Sequence, residues 1–194
     1  MTQENIQDDL AYIKKIIEES RRNVCSSGVH LMVWGTIIPI ALVVSWFLAK
    51  FNISGITEWI HWILVILGGW IFELIYNRKV KRNRTGRTYS EKVDGFMWLS
   101  LGITMTMIGF VGMGTGAITP QYLSPILCAI LAIGYYTSGV LYNAKWIRNL
   151  AIGWWTGATI MFIFPGLYHL LFMAGLMIFF QTIPGYIIHK NWGN

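Results

Sequence analysis

The residues of this sequence that could do chemistry are few. They are Glu73 with Asn77 one helical turn on, histidines at 30, 61, 169 and 189, Ser138 within Thr137-Ser138-Gly139, and the cysteines Cys25 and Cys128. Glu73 reads as the only acid within an apolar run. With Arg78 and Lys79 close by, it fits either a satisfied interfacial carboxylate or a polar gate. His61 and His169 fall at one depth, and His30 and His189 at another. Imidazoles on facing helices are what a haem or a metal requires. The arrangement in which one pair of helices ligates two haems is missing, so hydrogen bonding near the membrane surfaces is the expected role. No metal and no cofactor is assigned. The cysteines form no C-x-x-C motif and no disulfide framework, and read as small packing residues.

Ser138 and His169 invite comparison with a rhomboid intramembrane protease, which has a nucleophilic serine in its fourth span and a histidine in its sixth. Its G-x-S-G motif requires glycine at position 136, where this chain has Tyr136. Depth also argues against it. The two side chains are expected roughly 20 Å apart along the membrane normal by helical rise, and a nucleophile and its base must come within hydrogen-bond reach. No H-E-x-x-H, G-x-S-x-G or P-loop is present. No catalytic residue is assigned.

The elements that carry these residues follow from composition. The chain has 194 residues, 55% apolar and 12% charged, with ten tryptophans. A soluble domain of this size could not hide so much apolar surface, whereas a membrane protein need not. Apolar runs near the spanning length of about 20 residues recur six times, at roughly 29–49, 57–76, 93–113, 121–142, 147–164 and 167–188. The fifth is short, and Pro165-Gly166 makes a tight turn after it. The expected fold is therefore all-α and polytopic. It has six transmembrane helices in three hairpins (29–190), preceded by a polar segment (1–28) that is no cleavable signal peptide.

Charge sets the orientation. Lys14, Lys15, Arg21 and Arg22 precede the first span, and Lys145 and Arg148 lie between the fourth and fifth. Between the second and third lies a basic loop, 78–92, carrying Arg78, Lys79, Lys81, Arg82, Arg84, Arg87 and Lys92. Lys190 follows the sixth span, and the three remaining connections hold one basic residue, Lys50. The positive-inside rule puts both termini and the 78–92 loop in the cytoplasm. The basic cluster fits contact with anionic lipid headgroups rather than nucleic acid.

Within the spans, LIYNRK (74–79) returns as VLYNAK (140–145), with Gly68 over Gly134 and Trp70 over Tyr136. YIIHKN (186–191) is a fainter third copy. A repeated hairpin could build a pseudosymmetric transporter. Alternatively, Tyr-Asn-x-Lys is simply an aromatic anchor, a helix stop and a snorkelling cation. Gly112/Gly116, Gly153/Gly157 and Gly134/Ser138 have the small-xxx-small spacing that lets helices approach closely, mostly within the bundle. Pro39 and Pro184 predict kinks.

The polar N-terminal stretch has its own pattern. Ile6, Leu10, Ile13, Ile17, Ser20 and Val24 are spaced 4, 3, 4, 3, 4, a heptad seam on an amphipathic cytoplasmic helix. Acids begin this helix, Arg21 and Arg22 end it, and Ser26-Ser27-Gly28 makes a hinge. Three placements compete: on the membrane surface, against this protein's own loops, or against another chain, either its own copy in a homo-oligomer or a protein partner.

Trp34-Gly35 early in the first span, the basic loop after the second and IPGYIIHK (183–190) at the end resemble features of a group of small uncharacterised bacterial six-span proteins. The resemblance implies a bacterial inner-membrane location and no activity. The leading expectation is a non-enzymatic membrane-anchored interaction, sensing or regulatory module. It would work through the N-terminal helix and the basic loop. The alternative is a small-solute transporter or permease component.

Overall fold

The computed structural model describes residues 28–53, 55–82 and 89–192, all helix and connecting turns with no strand among them. The seam Ile6, Leu10, Ile13, Ile17 and Val24, with Cys25, Arg84 and Arg87, lies outside the described residues. The helices are α1 (Gly28–Lys50), α2 (Ile56–Arg82), α3 (Tyr89–Met107), α4 (Pro120–Leu141), α5 (Lys145–Ile163), α6 (His169–Met177) and α7 (Ile183–Trp192). A π-helical turn, Ile108–Gly112, extends α3, and a second, Ile178–Thr182, joins α6 to α7 in one continuous run.

Five of these runs are long and apolar enough to cross a membrane: Gly28–Lys50, Ile56–Tyr76, Tyr89–Gly112, Pro120–Leu141 and His169–Lys190. Helix α5 falls outside this set. It opens with Lys145, Arg148 and Asn149, and much of its length is small or polar, with Gly153, Thr156, Gly157 and Thr159. The reason lies in packing. Ile147, Ala151, Trp154, Ala158 and Met161, spaced 4, 3, 4, 3, are all buried. They face α4, where Cys128, Leu131, Tyr135 and Ser138 are buried in turn. Gly139 makes the closest approach: a Cβ there would run into the backbone of Arg148.

Successive helices lie side by side and antiparallel. His30 meets Glu73, while His61 reaches back to the carbonyl of Ala41. Trp70 covers Gly102 and Trp59 lies near Gly114. Trp98 covers Gly134, and Tyr122 of α4 stacks near Phe162 of α5. Gly153 and Gly157 receive Phe180 and Leu176. Helix α1 closes back on the last run, with Gly28 against Ile188 and Gly35 against Thr182. The small-residue pairs thus pack helices of this one bundle against each other. Gly112 and Gly116 are the exception: Gly112 meets Ile118, and Gly116 sits in the following turn at φ +74°.

The two strong copies of the repeat end differently. Asn143 adopts φ 51°, its N–H bonds the carbonyl of Val140, and the N–H of Ala144 reaches that of Gly139 at 2.8 Å. These are the paired bonds of a Schellman stop. In the first copy, α2 runs on through Asn77 to Arg82, carrying the start of the basic cluster on helix. The shared glycine differs too, since Gly134 is covered by Trp98 whereas Gly68 faces open space. Its neighbour Gly69 takes the tight contact, under Trp34.

Candidate functional site

Polar side chains gather at the end of the bundle where α1 and α3 begin and α2 and α4 finish. Asp94 and Trp98, four residues apart on α3, share the face turned to α4. There Gly134 leaves room for the indole of Trp98, whose ring would lie 2.8 Å from a Cβ. Ser138, one turn further on, donates its hydroxyl to Asp94 Oδ1 at 2.5 Å and accepts the Trp98 Nε1–H at 3.0 Å. Tyr142, another turn on, also hydrogen-bonds the Asp94 carboxyl, and His30 lies within electrostatic reach of it. Asp94 is only 6% exposed.

Beside this cluster, His30 Nδ1 and Glu73 Oε2 are 2.7 Å apart, joining α1 to α2, and Tyr76 sets its ring edge-on to the imidazole at 5.2 Å. The pair is partly exposed, at 22% and 21%. His30 therefore stands between a partly exposed carboxylate and a buried one. Such an arrangement can hold or pass a proton and can carry charge at this end of the bundle. Among the described residues, no three His, Cys, Asp or Glu side chains are placed to hold a metal ion.

This cluster corrects one sequence expectation. Glu73 is not the only acid inside a span: Glu58 stands at the start of α2, and Asp94 on α3 is far more buried than Glu73. Two signals pointed to it: it falls inside the 93–113 run, and it stands four residues before a tryptophan. The Gly134/Ser138 pair was readable as a packing motif, but the role of Ser138 as both donor to Asp94 and acceptor from Trp98 was not.

The remaining candidates lie elsewhere. His61 bonds the Ala41 carbonyl at 3.1 Å, and His169 Nδ1 bonds Ser124 Oγ at 3.0 Å, both at the opposite end. Ser138 and His169 therefore have different partners at different ends. Glu58 and Trp62 pair there as well, at 2.8 Å. His189 is exposed. Arg78 and Lys79 are exposed on the last turns of α2, and the helix backbone continues through Lys81 and Arg82. Cys128 is fully buried, its thiol directed at the Trp154 carbonyl at 3.1 Å. A shallow apolar groove between α2 and the end of α3 with its π-helical turn is lined by Trp70, Ile103, Thr106, Met107, Phe110 and Val111, none of them a member of the polar cluster.

Compared with models of protein families, with curated proteins and with solved structures, the chain matches none.

Proposed function

We propose that this chain is a six-span protein of the cytoplasmic membrane that acts without catalysis, as an interaction or sensing module. Helix α5, the fifth run in chain order, is taken as a span beside α4, which brings the total to six. The positive-inside rule then turns the Asp94 end toward the cytoplasm, together with both termini. One observation carries the reading: the buried carboxyl and the imidazole–carboxylate pair sit together at the end of the bundle where α1 begins and α2 finishes, next in sequence to residues 1–27 and the basic 78–92 stretch. A charge change at His30 or Asp94 is felt there first, at the roots of the two segments suited to bind lipid headgroups or protein. The N-terminal seam would dock on a second copy or on a partner.

The test compares full-length protein with a chain lacking residues 1–27, both in nanodiscs, by native mass spectrometry and chemical cross-linking. The full chain is expected as a dimer or larger and the shortened one as a monomer. Equal masses with an unchanged set of cross-linked neighbours would sink the reading.

A second reading, a small-solute transporter, is favoured by the last run, where a π-helical turn precedes Pro184 and faces the Pro39-containing α1. Proline and π-turn irregularities on facing helices bend them and can shape a path for a solute. Specific uptake by proteoliposomes would promote it.

A further inference from the structure

Three polar atoms deep in the bundle have no partner among the described residues: the Tyr135 hydroxyl, the Trp154 indole N–H and the Gln181 side-chain carbonyl. Their residues are 1%, 0% and 5% exposed. They lie on adjoining helices, since Tyr135 of α4 stacks on Trp154 of α5 at 5.8 Å, and Trp154 meets Phe180, the residue before Gln181, at 6.2 Å. Gln181 belongs to the π-helical turn, and its Cγ packs toward Gly35 of α1. Polar atoms in an apolar interior are costly to leave unpaired. They are also complementary: the indole only donates, the amide carbonyl accepts and the phenol does both.

We infer that Tyr135, Trp154 and Gln181 form an internal binding site for water between α4, α5 and the π-helical turn. A water there accepts from the Trp154 Nε1–H, donates to Gln181 Oε1 and uses its remaining proton or lone pair on the Tyr135 hydroxyl. That meets the two to four polar partners a buried water needs. The π-helical turn serves the site by rotating Gln181 inward, a role such turns often have at functional positions. The site lies deeper in the bundle than Asp94 and Ser138, and Tyr135 is one turn from Ser138 on the same helix.

The test is X-ray radiolytic labelling of full-length protein in nanodiscs, read by peptide mass spectrometry. Hydroxyl radicals born at a bound water modify the side chains around it even where bulk water has no access. Modification of Tyr135 and Trp154 is expected in the native chain, with loss of the Tyr135 modification to background in Q181L. Unmodified Tyr135 and Trp154 in the native chain overturn the proposal, and so does labelling that Q181L leaves unchanged. Thermal unfolding of Q181L gives an independent readout. A lowered Tm is expected because a hydrogen-bonded carbonyl is lost; a raised Tm means the carbonyl had no partner to lose and overturns the site.

Discussion

Thr182 donates its hydroxyl to the carbonyl of Gly35, the very carbonyl that Pro39, four residues on, cannot reach with an N–H. An orphaned carbonyl in a spanning helix must be satisfied from a neighbour, because lipid offers nothing. The neighbour is the π-helical turn ahead of Pro184, so the two helix interruptions are stitched to each other. Thr182→Val is expected to cost about 1 kcal/mol, the usual worth of one such bond. In a Pro39→Ala background, the alanine supplies the missing N–H and the same substitution should cost less. Detergent unfolding of the four variants measures this coupling, and additive losses would refute it.

The tightest contact between helices makes a second test. Gly139→Ala forces a methyl group into the Arg148 backbone, which cannot swing aside as a side chain can. The expected loss is about 1–3 kcal/mol, in the range of overpacked cores. Gly68→Ala is the control, since nothing lies within 4 Å of a Cβ there. It should melt no lower than the parent chain. Comparable losses in both variants would mean that α4 and α5 are not packed as described.

How much of this was readable in advance depended on the range of the interaction. The spans came from runs of Leu, Ile and Val, a signal that needs no partner. Even so, α5 showed as the weak one, because its Gly153, Gly157 and Ala158 are chosen for close packing and lower its apolarity. The Asn143 stop followed from local turn chemistry, while the same Tyr-Asn pair at 76–77 is carried inside α2. The Asp94–Ser138 bond joins residues 44 apart and the Thr182–Gly35 bond residues 147 apart. Nothing in one sequence pairs such positions, so these contacts appear only once the helices are placed.

Orientation is tested by thiol labelling in a chain whose Cys25 is replaced by alanine. Native Cys128 can stay, since it is fully buried and should resist alkylation until the bundle unfolds. The thiol of Lys79→Cys, exposed at the Asp94 end, should react with a membrane-impermeant maleimide only after spheroplasts are lysed. That of Lys50→Cys, exposed at the other end, should react in intact spheroplasts. The reverse pattern would invert the bundle and remove the proposed cytoplasmic face.

The Asp94 cluster is testable as a unit. Ser138→Ala takes away the donor to Asp94 Oδ1 and the acceptor of the Trp98 indole in one step. Leaving buried polar groups unpaired costs about 1–3 kcal/mol. Asp94→Asn keeps a carbonyl oxygen for the Ser138 hydroxyl and should unfold near the parent midpoint, although it removes the ionisable group. Asp94→Leu removes both, and adding Ser138→Ala to it should cost less than Ser138→Ala alone, since residues sharing one network couple by roughly 0.5–3 kcal/mol. Independent, additive losses would show that the two side chains do not share a bond. Asp94→Asn then separates structure from function. If it folds normally but changes the assembly mass or the cross-links of residues 1–27, the carboxyl acts on the cytoplasmic segments through its charge. If it folds normally and changes neither, Asp94 serves only to fasten α3 to α4, and the sensing reading loses its centre.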